Sequence, residues 1–326
     1  MKEDLISTSV TCMYKMEQER KTISNIMTDN SVNKMYSITT GNCQEVLSSY
    51  GENFFHSCIT DPPYGMGMDH WDHSVPSVDI WNEVYRTLRP GAFCLAFCSP
   101  ELYHRLACNV EDAGFVIKDQ IMWMTTTKMV KYNRLKPAHE PIVVGQKPYE
   151  GSLQDNHEKW GCGLIDSDNN RIPWDKKPPT GWVKDGAKRR TFGRAGITTG
   201  TSKEHGTVDA NPAGRYPSNI LGEVESPHQK YFYAPRATRK EKGVDNDHPT
   251  VKPVSLMSYL IRVYSPLGSV VLDPFCGSGT TGVAAMREDR QFIGIDLSKH
   301  YTEIATRRCT DEKVSQPMTN PLLDIL

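Results

Sequence analysis

Residues 268–296 read GSVVLDPFCGSGTTGVAAMREDRQFIGID, and this stretch decides the fold. Val270, Val271 and Leu272 are an apolar run with no polar alternation, as in a strand covered on both faces. The run ends at Asp273-Pro274. Gly277, Gly279 and Gly282 follow in the spacing GxGxxG. Such a turn opens a helix and lets a ligand approach the backbone closely. The helix over SGTTGVAAMREDR leads to a second apolar strand, FIGID, which ends at Asp296. An acid at that strand end can accept hydrogen bonds from ribose hydroxyls.

Two ligands compete for this turn, a nicotinamide dinucleotide and S-adenosylmethionine. Asp273 stands where a carboxylate would face an incoming pyrophosphate. It suits an ammonium, or a network around a zwitterionic methionine tail, better.

Outward from this stretch the alternation continues. SKHYTEIATRRCT predicts a final helix and VKPVSLMSYLIRVYS a preceding one, so residues 230–310 form one half of a sheet domain, with a tail at 311–326. The other half spans 33–148. KMYSITTGN predicts a strand and turn, CQEVLSSYG a short helix closed by Gly51, and FFHSCIT a buried strand. SVDIWNEVYRTLRPG has helical spacing and a Pro-Gly stop, AFCLAFCS is a buried strand, and ELYHRLACNVEDAG is a helix. FVIKDQIMWM and EPIVVGQK predict two late strands. Strands alternating with helices place the chain in the α/β class with a mostly parallel sheet. Between the halves, residues 149–229 are rich in Gly, Pro, Asp, Asn and Lys and predict an irregular insert. Loops of that length usually have a function. Residues 1–32 predict a loose polar tail.

The strand FFHSCIT runs into Asp61-Pro62-Pro63-Tyr64-Gly65. Ligands of open α/β sheets bind at carboxyl ends of strands, where Asp61 falls. The two prolines stiffen the turn and donate no amide. The Asp61 carboxylate and a fixed Pro62 carbonyl can both accept from an NH₂ group, and the Tyr64 ring can stack on a flat base. That set suits the exocyclic amino group of a nucleobase. Its lone pair is delocalised into the ring, so it is a poor nucleophile. Two acceptors favour a more pyramidal nitrogen, to which an in-line methyl sulfonium can transfer its methyl by positioning and electrostatics. The base must leave the duplex to reach such a pocket.

The whole chain has 326 residues, 24% of them charged, and a net charge of −1, which describes a globular protein without an overall basic character. The nine cysteines form no CxxC pair and sit mostly in apolar runs, as buried thiols of a reducing cytoplasm do. No clustered ligands suggest a metal, and no apolar stretch suggests a membrane span. Within the insert, charge is local. Arg171, Lys176, Lys177, Lys184, Lys188, Arg189, Arg190 and Arg194 face only Asp175 and Asp185, and Trp174, Trp182 and Phe192 are interleaved. Such a patch suits phosphate contacts. His70, Trp71 and His73, in MDHWDH after the catalytic turn, could close over a flipped base. His139-Glu140 lacks the flanking pattern of a zinc deaminase.

With DPPY at Asp61–Tyr64 and FCGSG at Phe275–Gly279, the sequence resembles the amino-methylating DNA methyltransferases, of the N6-adenine and N4-cytosine kind, over residues 35–308. The catalytic motif precedes the cofactor motif, which looks like the β-type order with the insert as target recognition domain. HPTVKPVSLMSYLIR (His248–Arg262) and LKPAHEPIVVGQKP resemble the family segments before the cofactor strand and before the target domain. The resemblance implies a Rossmann-like S-adenosylmethionine-dependent sheet with one antiparallel strand. It implies double-stranded DNA as partner, a cytoplasmic setting in a bacterial or phage-infected cell, a restriction-modification, epigenetic or phage-protective role, and leaves a homodimer open. It assigns Asp61, Pro62, Pro63 and Tyr64 to catalysis. It assigns Asn42, Asp61, Thr250, Lys252, Asp273, Pro274, Phe275, Gly277, Gly279, Thr280, Thr281, Asp296 and Leu297 to the cofactor. In the insert it gives Lys176, Lys177, Lys184, Lys188, Arg189, Arg190 and Arg194 to DNA. The pair Gly41-Asn42 departs from the family's usual Gly-Asp, so altered contacts to the cofactor adenine are expected, with Asn42→Asp raising affinity. DPPY leans toward adenine, because cytosine-N4 members more often begin that motif with Ser. RNA adenine methylation and a non-enzymatic DNA-binding module are the alternatives.

Overall fold

The computed structural model describes residues 35–67, 72–124, 137–173, 180–182, 189–191, 198–200, 207–209, 212–221, 237–243 and 245–315. The first unit comprises 1–165 and 219–326, and the second is Asp166–Ser218. The first unit holds strands β1 (Tyr36–Thr40), β2 (Phe55–Thr60), β3 (Leu88–Phe97), β4 (Val116–Met124), β5 (His139–Gln146), β10 (Ile220–Leu221), β11 (Val270–Asp273) and β12 (Gln291–Asp296). Its helices are α1 (Cys43–Ser48), α2 (Val78–Thr87), α3 (Tyr103–Asp112), α4 (Leu153–Trp160), α5 (Arg239–Lys242), α6 (Val254–Tyr264), α7 (Thr280–Arg287) and α8 (Lys299–Ser315). The strands form one sheet in the order β1-β12-β11-β2-β3-β5-β4-β10. Every pairing is parallel except those of β5, which runs against β3 and β4. This is the mostly parallel sheet with one antiparallel strand.

The apolar runs explain why helices cover both faces. Ala92, Cys94 and Ala96 of β3, and Cys98 just after it, join one core, with Leu47 of α1, Trp81 of α2 and Leu106 of α3. Phe93, Leu95 and Phe97 alternate into the other, with Leu256 and Leu260 of α6 and Val283 of α7. Side chains of a strand point alternately to opposite faces, so a run apolar at every position needs cover on both. Each fully buried Leu or Phe contributes about 1.5–3 kcal/mol.

Two sequence expectations are corrected. The helix after Ser77 does not run to a Pro-Gly stop: it ends at Thr87, and β3 already begins at Leu88. Pro90 and Gly91 lie inside that strand, where the Gly91 amide donates to Lys147 O at 3.0 Å and Gly91 takes φ +80°. The register shift between Phe55 and Ser57 of β2 accommodates them as a bulge. The stretch 149–229 is not irregular throughout. It forms α4, opened by a Ser152–Asp155 capping box and closed by Gly161 in the left-handed region. Both β10 and α4 belong to the first unit. In the second unit β6 (Thr180–Trp182) pairs with β9 (Thr207–Asp209), and β7 (Arg189–Thr191) with β8 (Thr198–Gly200), all antiparallel. There Arg171 bonds Asp168 at 2.7 Å and its guanidinium lies 3.9 Å over the Tyr216 ring. The tail 1–32 falls outside the described residues, as do His70 and Trp71.

Candidate active site

The parallel strands β1, β12, β11 and β2 all end at one edge of the sheet, and there a cavity of about 890 Å³ opens. The range for small-ligand sites is roughly 300–1,000 Å³. Antiparallel β5 brings its first residues to that same edge, with Glu140 opposite Trp123 at the end of β4. Side chains from sequence-distant elements therefore converge on one space.

One wall is the glycine-rich turn. Gly277 has φ +48°, and its amide donates to Asp296 Oδ2 at 2.8 Å. The Ser298 amide donates to Asp296 Oδ1 at 2.9 Å. Burial pushes the Asp296 carboxyl up and these two amides oppose the rise. Gly279 caps α7 with φ +80°, and a Cβ there would lie 2.9 Å from Ala305 Cα. Gly279 thus serves packing against α8, while Gly277, Ser278 and Thr280 line the cavity. Arg308 braces the turn from behind, donating to Ser278 O and to Thr280 Oγ1 at 3.1 Å.

Asp273 is a strut beneath this wall. Thr60 Oγ1 donates to its Oδ1 at 2.7 Å, Thr281 Oγ1 to its Oδ2 at 2.6 Å, and the Phe275 amide to Oδ1 at 3.1 Å. It ties β2, β11 and α7 together. Burial pushes its carboxyl up to about 7. Pro274, Phe275, Thr281 and the exposed Leu297 also line the cavity. So do Asn42 and Thr250. Asn42 Oδ1 accepts the Gln44 amide at 2.9 Å as the N-cap of α1, and the Thr250 amide donates to His248 Nδ1 at 3.3 Å. Burial lowers His248 to about 4, so it is neutral at pH 7.

The second wall is the turn after β2, with Asp61, Pro62, Pro63 and Tyr64 all on the cavity. The Tyr64 hydroxyl donates to Asp61 Oδ1 at 2.7 Å and lies 3.2 Å from Glu140 Oε2. Lys252 Nζ donates to Asp61 Oδ2 at 2.5 Å and sits 3.5 Å from Glu140 Oε2. Lys252, expected beside the cofactor, thus stands between Asp61 of the turn after β2 and Glu140 of β5. Its position follows from its neighbour: the residue before a proline is held extended, and α6 starts only after Pro253. Burial pushes Asp61 up, Lys252 opposes this, and Glu140 adds to it. Burial opposes the Lys252 charge, but the two carboxylates outweigh it and raise its titration. Buried Asp72 closes the following loop, accepting the Gly65 amide at 2.7 Å and the Met66 amide at 3.1 Å. Glu140 and Asp72 are the two site residues that the sequence did not single out for these roles.

Of the basic residues in the insert, Arg189 and Arg190 lie in β7. Lys176, Lys177, Lys184, Lys188 and Arg194 lie outside the described residues. Among the described residues no group of three or more His, Cys, Asp or Glu is placed to hold a metal ion, and no helix is long and apolar enough to cross a membrane. The eight described cysteines are free thiols, all buried but Cys108.

Residues 55–307 match the model of a family described as DNA methylase, of the N6/N4 type. The chain belongs to this DNA methylase family. The methylase is 26% identical over 337 residues to the type II methyltransferase M.HindIII of Haemophilus influenzae, covering 82% of this chain and 93% of that one. It is 27% identical over 281 residues to the type II methyltransferase M.HpaI of Haemophilus parainfluenzae, covering 83% and 73%. Its fold matches TTHA0409 of Thermus thermophilus complexed with S-adenosyl-L-methionine, with TM-score 0.52, 22% identity, and 86% and 96% of the two chains covered. It also matches the cytosine-N4-specific PvuII DNA methyltransferase, with TM-score 0.51, 17% identity, and 84% and 86% covered. In the methylase the acidic turn and the glycine-rich turn thus open onto one cavity, as transfer between two bound molecules requires.

Proposed function

We propose that this methylase transfers a methyl group to the exocyclic N6 amino group of an adenine turned out of double-stranded DNA. S-adenosylmethionine is the methyl donor, and when bound it supplies an electrophilic methyl on a positive sulfonium. The residues fit it. Asp296 is an acceptor at the strand end, Gly277 has no side chain beside it, and exposed Leu297 offers an apolar surface to a purine. Thr250 and the Phe275 turn complete the donor side.

Asp61 carries the proposal, as an acceptor held at a strand end beside an aromatic ring by the Tyr64 hydroxyl and the Lys252 ammonium. Asp61 and the Pro62 carbonyl accept the amino hydrogens. Pro63 stiffens the turn, and Tyr64 stacks on the base. The acid at the head of DPPY favours adenine. The same two acceptors suit the N4 amino group of cytosine, and the fold shared with a cytosine-N4-specific enzyme keeps that second specificity in view. The second unit, 166–218, is proposed as the target recognition domain, with the basic residues from Lys176 to Arg194 on phosphates. The type II names of the relatives support a restriction-modification setting in the cytoplasm, with DNA as partner.

The test is product analysis. The protein is incubated with S-adenosylmethionine and unmethylated duplex DNA, and the digested nucleosides are measured by mass spectrometry. N6-methyladenine is expected. N4-methylcytosine in its place would overturn the base assignment, and neither product on DNA, with methylation of RNA, would overturn the substrate.

A further inference from the structure

Three charged groups meet at the catalytic turn from three separate elements. Asp61 follows β2, Glu140 begins β5, and Lys252 precedes α6. The Lys252 side chain is 8% exposed, with Asp61 Oδ2 at 2.5 Å and Glu140 Oε2 at 3.5 Å. Its ammonium also lies 5.1 Å over the Phe97 ring and 5.4 Å over the Tyr64 ring. Two buried carboxylates this close cannot both ionise without a cation between them. A buried ammonium likewise needs a carboxylate partner. Asp61 Oδ1 is turned to the Tyr64 hydroxyl and Oδ2 to the ammonium, which fixes the plane of the carboxylate.

We propose that Lys252 and Glu140 are positioning residues for the Asp61 carboxylate: the ammonium orients it and keeps it ionised, and the Glu140 charge opposes that ionisation from the other side of the ammonium. This rests on Asp61 being the acceptor for the target amino group. It gives the HPTVKP segment a task on the base side of the cavity, separate from any contact with the methyl donor. The other titratable groups facing Asp61 are Tyr64 from its own turn, Cys98 after β3 and Asp273 from β11. Tyr64 and Cys98 are pushed up by burial and stay protonated near neutrality, so they add no charge there.

The two positioning residues act on Asp61 with opposite sign. Lys252→Met removes the cation, so Asp61 titrates at higher pH. Glu140→Gln removes the repelling carboxylate, so Asp61 titrates at lower pH. Carbon-13 NMR of aspartate carboxyls reads this directly in the free protein, with the Asp61 signal assigned by its loss in Asp61→Asn. The midpoint is expected to rise by about one to three pH units in Lys252→Met, the range for a contact charge, and to fall in Glu140→Gln. The acid limb of the methyl-transfer rate moves the same way in each. Thermal unfolding establishes that each variant is folded. If Lys252→Met fails to fold, the double variant Lys252→Met/Glu140→Gln set against Glu140→Gln reads the same step, and a rise is again expected.

An unmoved midpoint in folded Lys252→Met, or in the double variant against Glu140→Gln, overturns the part given to Lys252. An unmoved midpoint in Glu140→Gln overturns the part given to Glu140. The titration needs neither DNA nor donor. Midpoints that move as expected in a protein that methylates nothing leave this inference standing and remove the functional one, and the reverse result does the opposite.

Discussion

The Tyr64 hydroxyl is bonded to Asp61 while its ring lines the cavity, so one side chain serves two ends. Substitution separates them. Tyr64→Phe keeps the ring and is expected to lower kcat with little change in DNA affinity. Tyr64→Ala also removes stacking of about 1–3 kcal/mol, roughly a five- to 150-fold further loss in kcat/KM. Steady-state kinetics on duplex DNA checks both, and equal losses in the two variants would contradict the division. Asp273 gives a pH prediction. Its folded titration, at about 7, lies above the ordinary aspartate range. The contribution of its protonated form to stability is therefore full below about pH 4 and lost as pH rises through about 7. The melting temperature of the wild type relative to Asp273→Asn should fall between pH 5 and pH 8, and a constant difference would contradict this. At this scale the sequence showed Asp61, Tyr64 and Asp296, because each closes an apolar strand run. Glu140 was hidden. It opens its strand, 76 residues from Tyr64, and only the reversed direction of β5 brings it to the site.

The elements carry the turn geometry. Gly279 combines φ +80° with a position where a Cβ would press on the Ala305 backbone. Gly279→Ala should destabilise the protein by about 1–3 kcal/mol, from strain in the left-handed region alone. Thermal unfolding reads the effect, and an unchanged melting temperature would remove this role. The strand-turn-helix-strand unit was legible since its glycines and apolar runs are local signals. The start of β3 was not. Leu88-Arg89-Pro90-Gly91 looks like a stop, yet the Lys147 and Pro148 carbonyls, just past the end of neighbouring β5, accept the Gly91 amide. Helix α4 was missed for a related reason. It has no wide apolar stripe and is anchored by buried Asn156, whose Nδ2 donates to Pro90 O and Cys162 O at 3.0 Å each. A capping box in GSLQDNHEKWG was the signal available.

Over the whole molecule, the net charge of −1 conceals a basic stretch in the insert. Lys188→Ala with Arg189→Ala and Arg190→Ala should weaken DNA binding and lower the slope of log affinity against log salt by about 0.9 for each phosphate that is no longer neutralised. Fluorescence anisotropy across a salt series measures it, and a parallel line would place the DNA elsewhere. The division into two sheet halves around an insert was visible in the sequence because the alternation of strands and helices stops and resumes. Short strands such as Thr180–Trp182 carry too few residues to show a period. The central claim is that one cavity joins a donor side at Asp296 to an acceptor side at Asp61. The most direct measurement is single-turnover methyl transfer to duplex DNA by Asp61→Ala, under donor concentrations shown by calorimetry to saturate it. The account predicts that the saturated variant transfers at least about a hundredfold more slowly, the scale for losing a polar group aimed at the reacting centre. Transfer within about threefold of wild type would lie well outside that scale and would contradict it.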